Sequence, residues 1–287
     1  MASPKIVLVT GCSTGIGLST AVLLASDKEK RFKVYATLRN LAKKDELYEK
    51  GKNFLGETLI VKAMDVCSDD SVHEVLRELL AIHHRVDVLI NNAGLGMFGA
   101  LETQTMTASR SVFETNFFGV LRLIKAVLPT MKSNKGGHII CVSSVGGING
   151  VPFNGVYCAS KFAVEGLMEA LAPMLKKFNV KCSLIEPGPV ATSFMSNLAE
   201  GDKPDRPPLD EETKQLFENC GKKMQAAFST VVQSPEEIAD EILRAVNEEK
   251  PHLRYQTNKN YATLTAAKLT DPTGDKPVEL VYQNFFG

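Results

Sequence analysis

Six short apolar runs alternate with amphipathic stretches along this chain, and this alternation restricts its fold more than any other sequence feature. The apolar runs occupy residues 5–10, 32–38, 58–66, 86–94, 138–144 and 180–188. Helical patterns occupy 17–26, 71–83, 107–132, 158–178 and 235–249. Several runs are almost continuously apolar, as in strands that helices cover on both faces. The order predicts an α/β fold: a doubly wound parallel sheet with helices on both faces, in a single domain over 1–287.

Composition and charge argue against several other classes of protein. With 44% hydrophobic residues among 287, the chain can bury a substantial core. Lysine plus arginine equals aspartate plus glutamate at 33 each, so the charge balance gives no reason to expect a nucleic-acid partner. No apolar run approaches the ~18 residues of a membrane span, and no secretory leader is visible. We therefore expect a cytoplasmic protein.

Cysteine and histidine usage gives no sign of a metal site. The six cysteines lack the CxxC spacing of zinc sites and several lie inside apolar runs, so we expect reduced, buried thiols. The histidines include one adjacent pair, His83 and His84, and neighbours on a helix point in different directions. The sequence therefore predicts that the protein binds no metal.

A glycine-rich turn, TGCSTGIG at 10–17, directly follows the first apolar run. Its glycines are Gly11, Gly15 and Gly17. Glycines between a buried strand and a helix let backbone N–H groups approach a phosphate, and the start of the helix carries a partial positive charge. The alternative is that these glycines serve only the tight packing of strand and helix.

The carboxyl ends of the predicted strands carry small, polar or kinked residues instead of more core. Ligands of doubly wound sheets bind beyond these ends, near the point where the strand order reverses. We therefore expect the functional site along this edge. The strand-end residues are Thr10-Gly11, Leu38-Arg39, Asp65-Val66, 91–94, Ser143-Ser144 and Pro187-Gly188.

Tyr157 and Lys161 lie four residues apart where a helix begins, so their side chains share one face. An ammonium beside a phenol favours the phenolate and lowers the tyrosine pKa from its usual value of about 10. Such a phenol can exchange a proton with an alcohol or a carbonyl. The alternative is an ordinary pair on a helix surface.

These features together resemble the short-chain dehydrogenase/reductase family. TGCSTGIG, NNAG at 91–94, Asn116, Ser144, the Tyr157/Lys161 pair and PGPVAT at 187–192 follow in the order and approximate spacing of that family, over about residues 5–195. The resemblance implies a Rossmann fold and hydride transfer with a nicotinamide dinucleotide. A non-catalytic dinucleotide-binding sensor or scaffold is the alternative of another class.

The resemblance also implies a role for each member of the catalytic set. Tyr157 would be the general acid in reduction and the base in oxidation. Ser144 would hold the substrate oxygen, and Lys161 would bind the nicotinamide ribose hydroxyls while tuning Tyr157. Asn116 would support a water that relays protons from Lys161. A pure binding module would not need such a set.

The end of the second strand predicts the choice of cofactor. An acidic residue there would bind an adenosine ribose diol, but this chain has Thr37-Leu38-Arg39. An arginine can hold a 2′-phosphate by a forked ion pair, which favours NADP(H); the alternative for Arg39 is a solvated surface charge. The cofactor-binding residues implied are Gly11, Ser13, Thr14, Gly15, Ile16, Gly17, Arg39, Asp65, Val66, Asn92, Ala93, Gly94, Tyr157, Lys161, Pro187, Gly188, Val190 and Thr192.

Within the family, the sequences of several stretches are similar to those of the branch that contains 17β-hydroxysteroid dehydrogenase type 1 and the photoreceptor-type retinol dehydrogenase. FKVYATLRNL and GVPFNGVYCASKF are closer to the steroid enzyme, whereas DVCSDDSV, ETNFFG and RYQTN are closer to the retinol enzyme. No histidine occurs between Val190 and Pro251, and Asn284 offers an amide where the steroid branch has a carboxylate. We therefore expect all-trans-retinal/retinol as substrate, with estrone/estradiol as the alternative.

The substrate site is expected to be apolar and covered by a lid. A charged, proline-rich segment lies within 193–230, which is a probable lid or a plain surface linker, and 251–287 is a C-terminal extension.

Apolar stripes at 107–132 and 158–178 predict a homodimer, with burial inside the monomer as the alternative. Peripheral membrane contact is compatible with the retinol branch, although no lipid anchor is visible. The substrate-binding residues expected are Ser144, Tyr157, Leu95, Val151, Phe153 and Phe194.

Overall fold

A single parallel sheet organises the part of the chain that the computed structural model describes, residues 3–194 and 209–270 with Gln283; at 227–229 only the backbone is described. Its strands are β1 Lys5–Val9, β2 Phe32–Leu38, β3 Leu59–Ala63, β4 Val88–Asn91, β5 Gly137–Val142, β6 Val180–Glu186 and β7 Arg254–Gln256. They lie in the order β3-β2-β1-β4-β5-β6-β7, and every neighbouring pair is parallel. The predicted doubly wound Rossmann sheet is confirmed.

The strand order reverses between β1 and β4, which places a crevice at their carboxyl ends. Val7 at the centre of β1 pairs with Val34 of β2 on one side and Val88 of β4 on the other. All three are buried, which explains why these strands read as continuous apolar runs. The crevice opens beside the glycine-rich turn, which follows β1.

Helices cover both faces of the sheet. Leu18 of α1 and Ile242 of α8 pack on one face, while Leu79 of α3, Leu123 of α5 and Met168 of α6 pack on the other. The helices in the described residues are α1 Gly15–Ala25, α2 Asp45–Gly51, α3 Asp69–His83, α4 Met106–Phe113, α5 Gly119–Ser133, α6 Gly155–Leu175, α7 Glu211–Val231, α8 Pro235–Asn247 and α9 Ala262–Thr270.

The ends of two helices follow from local chemistry. The hydroxyl of Ser68 accepts a hydrogen bond from the backbone N–H of Ser71 and starts α3. Ser234 starts α8 through a reciprocal capping box with Glu237, and Pro235 takes the first helical position, where its missing N–H costs nothing. These signals explain why both helices begin close to their predicted positions.

The predicted helix over 107–132 is wrong in one respect. It is two helices, α4 and α5, joined by one wide π turn at Glu114–Phe118. The turn widens the helix without ending it, and its residues include no glycine or proline that would mark the change in the sequence. It carries Asn116, one of the expected catalytic residues.

Several elements were not predicted. α7 occupies much of the segment expected to be a lid or linker, β7 adds an edge strand, and α2 and α9 are additional short helices. The remaining parts of the predicted lid and extension, residues 195–208, 271–282 and 284–287, lie outside the described residues. None of the helices in the described ranges has the length and apolar content to cross a bilayer.

All six cysteines are free thiols. Five are buried as expected, but Cys67 is only partly buried, with Sγ 3.4 Å from Thr115 Oγ1. Burial raises the pKa of Cys12 and of Cys141 to about 12, so these two thiols remain protonated at neutral pH. They act as small apolar core residues.

Candidate functional site

The glycine-rich turn between β1 and α1 is packed closely against the end of β4. Gly11 has φ +71°, and a Cβ on Gly17 would lie 2.4 Å from both Asn92 Nδ2 and the carbonyl oxygen of Gly11. Asn92 Nδ2 donates to the carbonyl oxygens of Thr10 (2.8 Å) and Gly11 (3.1 Å). Gly11 and Gly17 therefore allow this turn to pack tightly against the end of β4.

Gly15 opens α1 in a way that fits a phosphate. It has φ +61°, and its preceding N-cap residue, Thr14, makes no side-chain hydrogen bond to the first turn. The Thr14 hydroxyl instead lies 2.8 Å from Ser193 Oγ. The N–H groups of the first turn, including those at Ile16 and Gly17, are thus left for an anion at a positive helix end. Ser13 lies half-buried in the same turn.

The expected adenine end of the site follows β2 and β3. Arg39 is exposed just beyond β2 and has no hydrogen bond or ion pair within the described residues. Asp65 Oδ1 accepts a hydrogen bond from the N–H of Cys67 at 2.9 Å, which orders the loop after β3. Val66 in that loop is buried.

Two residues that sequence reasoning missed hold Val66 in place. Arg122 Nη1 donates to the carbonyl oxygen of Val66 at 2.6 Å, and its guanidinium also pairs with Asp69 and Glu114. A Cβ on Gly119 would lie 2.9 Å from Val66 Cγ2, so only glycine allows this approach. The only sequence signal was a glycine and an arginine three residues apart on one helix.

Asn91, Ala93 and Gly94 carry the chain from β4 toward the expected catalytic residues. Thr10 Oγ1 accepts hydrogen bonds from the N–H groups of Asn92 and Ala93, both at 2.9 Å. A Cβ on Gly94 would lie 3.4 Å from Asn116 Oδ1 and 3.7 Å from Lys161 Nζ. The structure thus brings Gly94, Asn116 and Lys161 together.

The Asn116 side chain, carried by the π turn, is fully buried and holds two other elements. Its Oδ1 accepts from the N–H of Leu95 at 2.7 Å, and its Nδ2 donates to the Leu95 carbonyl and to Ser160 Oγ, both at 2.9 Å. Both amide protons are therefore used within the protein. This geometry makes Asn116 a clamp between α6 and the loop after β4.

Ser144, Tyr157 and Lys161 meet where β5 ends and α6 begins. Lys161 Nζ donates to the carbonyl oxygen of Val142 at 2.9 Å and lies 5.7 Å from the centre of the Tyr157 ring. Ser144 Oγ accepts from the N–H of Gly146 at 3.0 Å. A Cβ on Gly146 would lie 3.4 Å from Tyr157 Cε1 and 3.5 Å from Ser144 Oγ, so glycine leaves the two side chains their space.

The electrostatics of this corner differ from the sequence expectation. Burial raises the pKa of Tyr157 to about 12, and the nearby Ser144 hydroxyl only partly opposes it. Burial also lowers the pKa of Lys161 to about 8. The expected lowering of the tyrosine pKa is therefore wrong for the protein chain alone, because the loss of hydration on burial dominates the shift. The phenol is protonated at neutral pH, the state needed to donate a proton.

The turn after β6 is held by the segment that follows α7 and by the C-terminal extension. The N–H of Val145 donates to the Pro187 carbonyl at 2.9 Å. Val190 forms an isolated parallel β-bridge with Gln233. A Cβ on Gly188 would lie 2.8 Å from Asn258 Nδ2. Sequence reasoning missed Gln233 and Asn258, because their role depends on contacts distant in sequence.

Aromatic side chains surround the approach to Tyr157. The Phe194 ring lies 5.6 Å from the Tyr157 ring, and Thr192 Oγ1 accepts from the N–H of Phe194 at 3.3 Å. Leu95 and Val151 are half-buried in the loops after β4 and β5. These are the positions expected for a substrate pocket.

A second aromatic group joins those loops to α7. The ring of Phe217 in α7 lies 5.2 Å from the ring of Phe98 and 5.2 Å from that of Phe153, which itself has φ +59°. Sequence reasoning missed Phe217, although apolar residues at helical spacing between 211 and 231 could have indicated the helix that carries it. In the described part of the chain, no group of three metal-ligating side chains is assembled.

Comparisons with known proteins agree with this geometry. The family profile described as short chain dehydrogenase matches residues 5–203. Human retinol dehydrogenase 8 is 45% identical, over 99% of this chain and 91% of its own length. Human 17-beta-hydroxysteroid dehydrogenase type 1 is 40% identical, over 98% of this chain and 86% of its own. A solved serine dehydrogenase complexed with NADP+ superposes with a TM-score of 0.74 at 26% identity, over 89% of this chain and 95% of the other.

Proposed function

The chain belongs to the short-chain dehydrogenase family of oxidoreductases, and from this premise we propose that it is an NADP(H)-dependent enzyme that interconverts a carbonyl and an alcohol on a bulky apolar substrate. Our preferred substrate is all-trans-retinal, and the reaction runs mainly as a reduction. The observation that carries the proposal is the buried corner in which Ser144, Tyr157 and Lys161 meet beneath the Phe194 ring.

The residues of this corner divide the acid–base work. NADPH, when bound, supplies the hydride. The Tyr157 hydroxyl donates the proton that completes the alcohol, and the Ser144 hydroxyl holds the substrate oxygen and stabilises the charge that develops on it. Lys161 binds the nicotinamide ribose and stabilises the phenolate that Tyr157 becomes. Asn116 fixes Leu95 and Ser160 around them.

We assign the cofactor cleft to a dinucleotide with a 2′-phosphate. The free N–H groups at the start of α1 suit the pyrophosphate, and the guanidinium of Arg39 and the hydroxyl of Thr14 suit the 2′-phosphate. Asp65 and Val66 would contact the adenine, and Thr192 the carboxamide. The residues that would complete the cleft are Ser13, Ile16, Asn92, Ala93, Gly94, Pro187, Gly188 and Val190.

The retinoid preference rests on what the lid offers. α7 contributes the Phe217 ring to an aromatic wall, which suits an apolar polyene. No histidine lies between 190 and 251 to form a hydrogen bond with the distant hydroxyl of a steroid. A site without such a partner discriminates poorly in favour of substrates that carry this hydroxyl. Estrone remains the second candidate, since a 17-beta-hydroxysteroid dehydrogenase is similar over nearly the whole chain.

We propose further that two copies associate through α5 and α6 in the cytoplasm. Phe118, at the end of the π turn that leads into α5, and Phe162 of α6 expose their rings, and such rings gain stability when a partner helix covers them. Peripheral contact with a membrane that supplies the apolar substrate is compatible with this arrangement. We also propose that 193–230 acts as the lid and 251–287 as a packed extension of the same domain.

The proposed function is tested by following NADPH oxidation by the purified protein with all-trans-retinal and estrone in parallel. We expect turnover of retinal with NADPH and much slower turnover with NADH. Turnover of estrone alone would assign the chain to the steroid reaction. NADPH binding without turnover of any carbonyl would support a sensor or scaffold and contradict an enzyme.

A further inference from the structure

A cluster of ionisable side chains lies behind the proposed site and is not used by the reaction described above. Glu165 follows Lys161 by one turn of α6, as Lys161 follows Tyr157, so the three side chains share one face of the helix. Glu165 meets Arg254 of β7, which no sequence pattern had connected with the site.

One guanidinium serves three carboxylates in this cluster. Arg254 Nη1 pairs with Glu165 and with Glu186 Oε1 (2.5 Å), and its Nη2 pairs with Glu169 Oε1 at 2.7 Å. Glu165 and Glu186 are 4% and 0% exposed, whereas the side chain of Glu169 is 56% exposed. When both buried carboxylates are ionised, the single guanidinium of Arg254 does not neutralise them, and the cluster carries net negative charge.

The free side of Glu165 faces the end of β5. A Cβ on Gly147 would lie 2.5 Å from Ser143 Oγ and 3.2 Å from Glu165 Oε1, so this glycine leaves the space that the two side chains share. Among the described residues, neither Ser143 Oγ nor Glu165 Oε1 has a partner at hydrogen-bond geometry. Ser143 follows Val142, whose carbonyl oxygen accepts the hydrogen bond from Lys161.

Building on the proposed function, we propose that Glu165 is a positioning residue that acts through Lys161: its buried carboxylate, held by Arg254, keeps the Lys161 ammonium charged while the reaction proceeds. A buried ammonium that loses its hydration tends to release its proton, and a negative charge nearby opposes that release. Without Glu165, Lys161 would be neutral over part of the range in which the enzyme works, and its support of the Tyr157 phenolate would be lost.

The pKa values of the two groups agree with this coupling. Burial lowers the pKa of Lys161 to about 8, and the Cys141 thiol and the Glu165 carboxylate oppose the decrease. Burial raises the pKa of Glu165 to about 7, while Arg254 favours its ionised form. The ionised Glu165 carboxylate therefore opposes the release of the Lys161 proton.

Four elements contribute charged or titratable groups around Glu165. Its own helix contributes Lys161 and Glu169, β5 contributes Cys141, β6 contributes Glu186 and β7 contributes Arg254. Burial raises the pKa of Glu186 as well, and Cys141 is a neutral thiol at neutral pH. Glu169 is the group best suited as a control, because it shares Arg254 but faces solvent.

The direct test is an NMR titration of the lysine side chains in the cofactor-free protein, with the Lys161 signal assigned by its loss in Lys161→Arg. We expect Glu165→Gln to lower the titration midpoint of Lys161 by about half a pH unit or more, because the opposing charge is gone. Glu169→Gln should leave the midpoint in place. An unchanged midpoint in Glu165→Gln overturns the coupling, whatever the protein's activity.

The second test is the pH profile of kcat in the direction of reduction. Lys161 would lose its proton at lower pH in Glu165→Gln, so the alkaline limb of the profile should move to lower pH while that of Glu169→Gln stays. If Glu165→Gln lowers the titration midpoint of Lys161 but does not move the alkaline limb of the kcat profile, the role of Glu165 in the reaction is overturned. If the wild type shows no turnover, the proposed function fails, and the NMR titration still decides whether Glu165 controls Lys161.

Folding is checked independently by circular dichroism. If Glu165→Gln alone does not fold, Glu165→Met replaces the carboxylate with an apolar side chain of similar length and leaves Arg254 paired with Glu186 and Glu169. The same lowered midpoint and the same shift of the alkaline limb are expected from this variant. A Glu165→Met protein that folds and titrates like the wild type overturns the proposal.

Discussion

The ammonium of Lys161 lies 5.7 Å from the centre of the Tyr157 ring, with its hydrogen bond directed to the backbone of β5. Burial keeps the phenol protonated, so Tyr157 is prepared to act as an acid. In the proposed reaction, the proton therefore comes from a group that the fold itself keeps out of water. This relationship gives the first prediction.

Tyr157→Phe removes the proton donor and leaves the ring in place. We expect turnover to fall by about a hundredfold or more, as is usual when a general acid is lost, while NADPH still binds. Steady-state rates and NADPH fluorescence titration measure the two effects. Tyr255→Phe, which changes a tyrosine at the far edge of the sheet, serves as the control. Unchanged turnover in Tyr157→Phe would sink the proposed role of the phenol.

Arg39→Ala should discriminate between the two dinucleotides. Because a charge-assisted hydrogen bond to the 2′-phosphate contributes about 1.5–3 kcal/mol, we expect NADPH binding to weaken by that amount and NADH binding to change little. Calorimetric titration with each dinucleotide measures it, with exposed Arg77→Ala as a control for general charge. Equal losses for both dinucleotides would show that Arg39 does not bind the phosphate.

Gly17→Ala should disrupt the cofactor turn. The new Cβ would lie 2.4 Å from Asn92 Nδ2 and from the Gly11 carbonyl oxygen, so the turn or the end of β4 must shift. We expect a lower Tm and at least about tenfold weaker NADPH binding. Gly166→Ala is the matched control: nothing lies within 4 Å, and alanine in that exposed helical position should add about 0.5–1 kcal/mol of stability. Normal NADPH binding by Gly17→Ala would contradict the prediction.

Phe217→Ala should affect substrate affinity while leaving cofactor binding intact. The change removes one ring from the group formed with Phe98 and Phe153. Loss of about 1–2 kcal/mol of apolar contact should raise KM for retinal about fivefold to thirtyfold, with the Kd of NADPH unchanged. Leu216→Ala, on the neighbouring and exposed position of α7, should leave KM unaltered. Equal increases in KM in the two variants would show that the aromatic wall is not part of the substrate site.

His138 should make the protein less stable in acid. Its ring is buried with Nε2 2.9 Å from Ser183 Oγ, and burial lowers its pKa to about 3, below the value of about 6.5 in an unfolded chain. The unfolded chain binds the proton more readily, so this contribution to stability is complete above about pH 6.5 and is lost progressively as the pH falls toward about 3.

Urea denaturation at about pH 7 and about pH 5 measures this effect. The stability of His138→Gln should decrease less between the two pH values than that of the wild type. His73→Gln, on the exposed face of α3, should behave like the wild type. An identical decrease in His138→Gln and the wild type would mean that other groups control the response to acid.

The sequence alone determined the fold class and the edge of the sheet at which the site lies. Apolar alternation reports which segments are covered on both faces, and a glycine with positive φ, such as Gly15, reports a local backbone requirement. The family followed from motifs such as NNAG and the Tyr157/Lys161 pair, whose spacing is itself local. These properties are short-range, so they can be read along the chain.

Only the tertiary structure decided the rest. The π turn that carries Asn116 contains no glycine or proline to mark it, and Phe217 and Arg254 reach their partners from segments distant in sequence. The direction of the Tyr157 pKa also reversed the sequence expectation, because hydration lost on burial depends on every element packed around the ring. Contacts between remote segments and the exclusion of water exist only in the folded chain, which is why the pattern of residues could not predict them.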